Sequence, residues 1–139
     1  MTKDVLVRVT GRHLMEQDSG EIGVTAEGSY YEKSSGHFLA YDEIQEGGEK
    51  VHVVLKIGVD RVDMMRSGAV KTHMEFLPGR TTKNCYYTPY GEMLLSVTTK
   101  ELATDIREDR IEVRIRYLLE IDGGAGSSAE IRIAAVPRK

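Results

Sequence analysis

The feature that most constrains the fold is the alternation of apolar and polar residues along many segments of the chain. In the clearest segment, 111–121, every second residue is apolar and most of those between are charged. Successive side chains on a β-strand point to opposite faces, so this pattern predicts strands with one buried face. Turn signals, such as Pro78-Gly79 and Pro89 with Gly91, separate the segments. The chain is therefore expected to be all-β.

The number and order of these segments favour a closed barrel. About nine or ten strands follow one another, and no long helix is indicated. This favours a single antiparallel up-and-down β-barrel or a sandwich, and strands longer than the usual length favour the barrel, which closes its edges. Gly23 and Gly28 predict a bulge or sharp bend in the second strand. The segment 98–106 carries a capping box that would permit a short helix, but an extended strand to about Ile106 is preferred.

A hairpin at 61–76 places one arginine on an apolar face. A three-residue loop, 67–69, would set Arg66 opposite Val70 and Met64 opposite Thr72, with apolar residues sharing one side. Arg66 then lies on that side, at the end of its strand. Either the arginine reaches past the rim or pairs with a buried carboxylate, or it contacts an anion or another ligand.

Length and charge narrow the class of protein. The 139 residues suffice for one domain, 1–139, with a core of its own. A net charge of −3 gives no general attraction to nucleic acid or anionic membranes, so neither is an expected partner. With one cysteine, no signal peptide pattern and no long apolar run, a cytoplasmic location is expected.

No known catalytic or metal-binding motif is present. Ser67 lies in a hairpin loop and not in a nucleophile elbow, and Cys85 has no neighbour in sequence that would activate it. The four histidines are scattered and are interpreted as surface residues, so no metal or other cofactor is expected. The glycine-rich stretch 122–128 is a hairpin loop. The arginines between 107 and 116 alternate with carboxylates, which favours solvated cross-strand ion pairs over an RNA-binding surface.

The segment 65–71 (MRSGAVK), followed by Phe76, resembles the signature of the uncharacterised YwiB-like family of Gram-positive bacteria. Segments at 28–31, 38–43, 91–95, 98–100 and 115–117 fit the same family, so the resemblance spans nearly the whole chain. It implies a calycin-type, lipocalin-like barrel of about eight main strands, and it implies no activity, ligand or catalytic residue. Arg114 and Arg116 fall on the face opposite Tyr117, which argues against the anion site of fatty-acid-binding barrels.

Two functions from different classes remain open. The first is a non-enzymatic barrel that binds a small, partly apolar or amphipathic molecule in its lumen, a role that rests on analogy between folds. Its candidate ligand-binding residues are Arg66, Met64, Thr72, Tyr30 and Tyr117. The alternative is a closed-core barrel that acts as a protein or RNA interaction module through its outer face. Whether the chain forms a homo-oligomer is left open.

Overall fold

The computed structural model describes residues 4–13, 21–44 and 47–138, and these form ten β-strands. The strands are β1 Asp4–His13, β2 Glu21–Lys33, β3 Gly36–Ile44, β4 Lys50–Ile57, β5 Val62–Gly68, β6 Thr72–Phe76, β7 Thr81–Thr88, β8 Gly91–Ile106, β9 Ile111–Ile121 and β10 Ser127–Pro137. All ten belong to one sheet, in which every hydrogen-bonded pair is antiparallel. The all-β prediction is confirmed.

Strands that follow one another in the chain pair, except β6 and β7, and β1 also pairs with β10 over residues 5–13. The remaining join lies between β6 and β7, where Lys71 and Tyr87 form an isolated antiparallel bridge with N···O distances of 2.9 and 2.8 Å. The order is that of an up-and-down barrel, nearly closed, as the alternation and strand lengths predict.

The interior is built from the apolar side chains that the alternation assigns to one face. Fully buried residues come from strands all round the barrel, among them Val7, Leu39, Leu55, Met64, Phe76, Ile115 and Ile133. Their complete burial leaves no water-sized space against them. This packed layer supplies most of the apolar burial, at about 1.5–3 kcal/mol for each large side chain.

Residues 98–106 continue β8 as a strand, which confirms the preferred reading of this segment. The register of β8 against β9 shifts between Thr99 and Glu101, so a β-bulge lies here. Of the bulge or sharp bend predicted at Gly23 and Gly28, the bulge is wrong, since β2 pairs with β1 and β3 without a register shift in the described residues. Gly28 is needed for close approach, because a Cβ there would lie 2.5 Å from the carbonyl oxygen of Ala40.

The outer face carries ion pairs, and in two places several of them surround one buried carboxylate. Asp63 accepts hydrogen bonds from Arg61 Nε at 2.8 Å and Arg61 Nη2 at 2.9 Å, and its Oδ1 lies 2.8 Å from His73 Nε2. Burial alone would raise the pKa of Asp63, but the hydrogen bonds and charges of Arg61 and His73 outweigh it and hold that pKa below its usual value. Glu130 is similarly surrounded by Arg12, Arg116 and Arg132.

We expect Asp63→Asn to lower the free energy of unfolding by about 2 kcal/mol at neutral pH, since hydrogen bonds to a charged group contribute about 1.5–3 kcal/mol each. Because the folded pKa is depressed, the stabilisation is present above the unfolded pKa of about 3.9 and is lost as the pH falls through the folded pKa. Urea unfolding of both proteins from pH 7 to 3 measures this. A difference that stays constant over that range would contradict the assignment.

Candidate functional site

Arg66 lies on the inner face of the barrel, as the parity of its strand predicts. It stands opposite Val53 of β4 and Thr72 of β6. The three-residue loop was wrong: Thr72 and not Val70 faces Arg66, and Met74 faces Met64, so five residues connect the paired positions. The pairing differs from the prediction by two residues, and a shift by two leaves every side chain on the same face.

A carboxylate on β3 forms an ion pair with Arg66. Arg66 Nε donates to Glu43 Oε1 at 3.2 Å, and the two side chains are 22% and 15% exposed. Glu43 shares the inner face because it follows Leu39 and Tyr41 at intervals of two residues. The predicted alternative of a carboxylate partner is therefore what the structure contains. The residual exposure of both groups leaves the pair within reach of solvent and of other polar groups.

We expect Arg66→Met and Glu43→Gln each to lower the free energy of unfolding by about 1–3 kcal/mol, because each leaves a partly buried group without its partner. The double variant should lose less than the sum of the single losses. Urea unfolding of the four proteins gives the coupling energy by a double-mutant cycle. Additive losses would show that the ion pair does not stabilise the fold.

Two tyrosines share the interior with this ion pair. Burial raises the pKa of Tyr41, and the Glu43 carboxylate raises it further while the charge of Arg66 opposes both. Burial likewise raises the pKa of Tyr117, and Arg66 again acts in the opposite direction. The guanidinium is thus close enough to influence tyrosines on strands β3 and β9. The ring of Tyr117 also packs edge-on against Phe76, with 5.3 Å between ring centroids.

Several inner hydroxyl groups have no hydrogen-bond partner within the described protein. These are Tyr41 Oη, Thr72 Oγ1 and Thr99 Oγ1, each on a residue that is at least nine-tenths buried. Thr72 stands directly opposite Arg66, Tyr41 lies in the same row of paired residues, and Thr99 stands opposite Tyr117. A buried hydroxyl without a hydrogen bond costs about 1–3 kcal/mol, so a cluster of them is an unusual feature of a core.

A pocket lies along the incomplete join between β6 and β7, and Arg66 and Thr72 are among the residues that line it. Apart from the Lys71–Tyr87 bridge, the bonds seen between these strands involve side chains of β7: Thr82 Oγ1 donates to Glu75 O at 2.8 Å and Asn84 Nδ2 to Glu75 Oε1 at 3.3 Å. The pocket has a volume of about 610 Å³. It is called the seam pocket here, and its lining is Met65, Arg66, Ser67, Lys71, Thr72, His73, Lys83, Asn84, Cys85, Tyr87 and Leu94.

The seam pocket is electropositive. Arg66, Lys71 and Lys83 line it, and its lining contains no carboxylate. Arg66 is neutralised by Glu43, whereas no ion pair involves Lys71 or Lys83 in the part of the chain that the structure describes. Tyr87 and Leu94 add apolar surface, 47% and 41% exposed. A pocket of this kind suits a small molecule that carries an anionic group on an apolar body.

A family model described as "Domain of unknown function (DUF1934)" matches residues 7–133. The chain belongs to this family. It is 29% identical over 123 residues to the "Uncharacterized beta-barrel protein YwiB" of Bacillus subtilis, which covers 87% of this chain and 86% of the relative. The crystal structure of the B. subtilis YwiB protein superposes with a TM-score of 0.87 at 26% identity, over 99% of this chain and 93% of that one. The YwiB-like resemblance of the sequence is thereby confirmed, together with the β-barrel fold.

The candidate ligand residues predicted from sequence do not all meet in this member of the family. Arg66 and Thr72 line the seam pocket, and Tyr117 lies within the range of the Arg66 charge. Met64 is fully buried in the packed layer beneath them. Tyr30 is on the inner face of β2, three strands away from Arg66, and its hydroxyl lies 2.7 Å from His37 Nδ1. The binding roles of all five residues stay predictions.

Sequence reasoning missed Glu43 as a site residue and does not assign Tyr41 to a face. Alternation cannot choose the inner face of segment 37–41, because aromatic and aliphatic residues occur on both of its faces. Leu39 was the available signal, since a leucine flanked at intervals of two by His37 and Tyr41 marks one face. His37, interpreted as a surface histidine, is in fact an inner, partly buried residue, while His52 and His73 are on the outer face as predicted. The side chain of His13 is outside the described part.

Other chemistry predicted from the sequence can be placed on the structure. Within the described residues, no group of histidine, cysteine or acidic side chains could hold a metal ion, and no helix is long and apolar enough to span a membrane. Cys85 is an exposed free thiol. Arg114 and Arg116 lie on the outer face, paired with Glu101, as the alternation predicts.

Proposed function

We propose that this chain is a non-enzymatic, cytoplasmic binding protein for a small, partly apolar molecule that carries an anionic group. The ligand enters the seam pocket, and its anionic group lies near Arg66, Lys71 and Lys83. The observation that supports this most is the unpartnered hydroxyl of Thr72, which lines the seam pocket directly opposite Arg66. The hydroxyl oxygen is buried, so a bound ligand would give it a hydrogen bond once the side chain rotates toward the pocket.

The packing of the barrel limits how the ligand lies. Leu39, Leu55, Met64 and Phe76 are fully buried, so the ligand does not extend down the barrel axis past this layer. The apolar part then rests along the seam, against Tyr87 and Leu94. The ligand therefore lies along the seam in the barrel wall, which is shallower than the central lumen expected from the sequence.

Native mass spectrometry of the freshly purified protein, set against its denatured mass, is the first experiment. An additional mass that is lost on denaturation would support the binding role and would give the size of the ligand. If the native mass is that of the bare chain or of an integral multiple of it, a retained ligand is excluded. A multiple would favour the alternative role, an interaction module that uses the outer face.

Thr72→Val is expected to raise the free energy of unfolding of the ligand-free protein, by about 1 kcal/mol, because the variant removes a buried hydroxyl that has no hydrogen bond and keeps the side-chain shape. The same variant should retain less ligand. Thermal unfolding and native mass spectrometry measure the two effects. Higher stability together with weaker ligand retention would show that the Thr72 hydroxyl serves binding and lowers folding stability.

Thr98→Val is the matched control for this substitution. Thr98 is on the outer face, where its hydroxyl is 2.7 Å from Thr81 Oγ1, so the variant should lose stability slightly and keep its ligand. The double variant Lys71→Gln/Lys83→Gln removes two positive charges from the lining of the seam pocket. It should weaken ligand retention without a change in fold. If Thr72→Val destabilises the protein and leaves retention unchanged, Thr72 has a structural role and the proposed site is wrong.

A further inference from the structure

A second pocket, elsewhere on the barrel, has a different arrangement of charge. It lies on the outer face of β1, β8, β9 and β10 and has a volume of about 420 Å³. Its charged lining is Arg114 and Arg132 in one row and Asp105 and Glu112 in the next, with Arg8 in line with the two carboxylates. We call the space between the arginine row and the carboxylate row the bipolar pocket. It is separate from the seam pocket, with which it shares no lining residue.

The cross-strand register sets like charges directly opposite each other. Arg132 of β10 faces Arg114 of β9, and Glu112 of β9 faces Asp105 of β8. Like charges in directly opposed positions destabilise a sheet.

Sequence alone showed arginines and carboxylates alternating along single strands, which predicts neutralising pairs across strands. Such pairs are present, for example between Arg114 and Glu101 and between Arg116 and Glu130. The register also sets two arginines in one row of the pocket beside two carboxylates in the next, with Arg8 in line with the carboxylates.

The two rows do not neutralise each other. Arg132 pairs with Glu130 at 2.9 Å and Arg114 with Glu101 at 3.3 Å, both in the row beyond the cations. On the other side, Asp105 pairs with Arg107 at 3.2 Å and Glu112 with Arg110 at 3.6 Å. Within the described ranges 4–13, 21–44 and 47–138, no ion pair joins the cationic row to the anionic row. Each row thus keeps hydrogen-bonding capacity toward the space between them.

The pocket has room for a small ligand above the sheet. Ala103 stands opposite Arg114, and Ala134 stands opposite Glu112, so short side chains form its floor. Arg8 closes one side, where its Nη1 donates to Thr25 Oγ1 at 3.0 Å. The rows are two residues apart along each strand, which is about 6.6–6.8 Å. Charged groups reaching inward from both rows can therefore contact adjacent groups of one small molecule.

We infer that the bipolar pocket binds a zwitterionic amino acid or short peptide. The carboxylate of the ligand lies between Arg114 and Arg132, which present planar guanidinium groups suited to it. The ammonium group lies between Asp105 and Glu112. Each of the four charges already has one ion-pair partner outside the pocket, and a ligand with both charges gives both rows a second partner at once, which a simple anion or a simple cation cannot do. This complementarity favours a zwitterion over a sugar phosphate or a nucleic acid backbone, either of which would bring further negative charge to the two carboxylates.

Amide chemical shifts of the full-length protein, titrated at constant ionic strength, test this inference. Glycine and diglycine are the zwitterionic probes, and acetate and methylammonium chloride are the matched single charges. We expect saturable shifts with at least one zwitterion at residues 103–105, 112–114 and 132–134, and no saturation with either single charge over the same concentrations. Saturation by acetate equal to that by the zwitterions would overturn the inference and leave a plain anion site.

Variants separate this pocket from the proposed ligand site. Arg114→Gln and Glu112→Gln should each weaken zwitterion binding by about tenfold or more, since each removes a charge-assisted hydrogen bond. Lys83→Gln, in the seam pocket, should leave it unchanged. If Lys83→Gln weakened zwitterion binding equally, the chemical-shift changes would reflect the overall charge of the protein and not binding in this pocket.

Two further outcomes would contradict zwitterion binding in the bipolar pocket. If ribose 5-phosphate or a uridine oligonucleotide saturates the same amides and the zwitterions do not, the pocket is a phosphate site and the inference is wrong. If no probe shifts these amides, the charges only neutralise one another on the surface. The seam-pocket proposal is unaffected by either result, because its variants and its mass-spectrometric readout are separate.

Discussion

Phe76→Ala is expected to lower the free energy of unfolding by about 3–5 kcal/mol, which is the usual cost of deleting a large buried ring. Phe76 is fully buried, faces Val62 across the hairpin and packs against the ring of Tyr117. It also lies at the end of β6, next to the incompletely paired β7. A cavity at this position removes contacts on both sides of the join between β6 and β7. Neighbouring side chains can therefore do little to fill it. Urea unfolding followed by circular dichroism measures the loss.

The chain offers a matched control, because it has two phenylalanines. Phe38 is on the outer face of β3, only partly buried, and stacks on Tyr31 with 5.0 Å between ring centroids. Phe38→Ala should cost about 1 kcal/mol, because it loses one aromatic pair and modest burial. If the two variants lost equal stability, the interior at Phe76 would not be the packed layer described above.

Gly28→Ala is the second substitution with a large expected effect, about 3 kcal/mol of lost stability. The new Cβ would lie 2.5 Å from Ala40 O and 3.2 Å from both Tyr41 Cβ and Val7 Cγ2. The nearest atom belongs to the backbone of the neighbouring strand, so the sheet itself must move, and overpacking of this kind commonly costs about 1–3 kcal/mol or more. Because Tyr41 is displaced, the Glu43–Arg66 ion pair should weaken as well.

Gly11→Ala controls for the loss of a glycine from a strand. No atom of the described residues lies within 4 Å of the Cβ that it would add, so this variant should be neutral or more stable by about 0.4–1 kcal/mol, through the smaller entropy of its unfolded chain. Thermal unfolding of the two variants checks the contrast. A tolerated Gly28→Ala would show that β2 and β3 are less closely packed than the structure indicates.

The sequence determined the faces of most strands. Alternation along β4, β8 and β9 identified which residues are inside, and the parity argument put Arg66 among them. The outer positions of Arg114 and Arg116 and the extended form of residues 98–106 were also predictable. The physical reason is local, because on a strand each side chain points away from its neighbours and one face must be apolar to be buried.

Only the tertiary structure decided which residues stand opposite one another. Thr72 and Val70 both share the parity of Arg66, so period-two alternation cannot choose between the two pairings, and cross-strand packing made the choice. For the same reason, alternation could not show that Glu43 is the partner of Arg66, that Tyr30 lies away from Arg66, or that Arg114 and Arg132 face each other. Strand parity is a property of each segment alone, whereas the register is set by the packing of all ten strands around one interior.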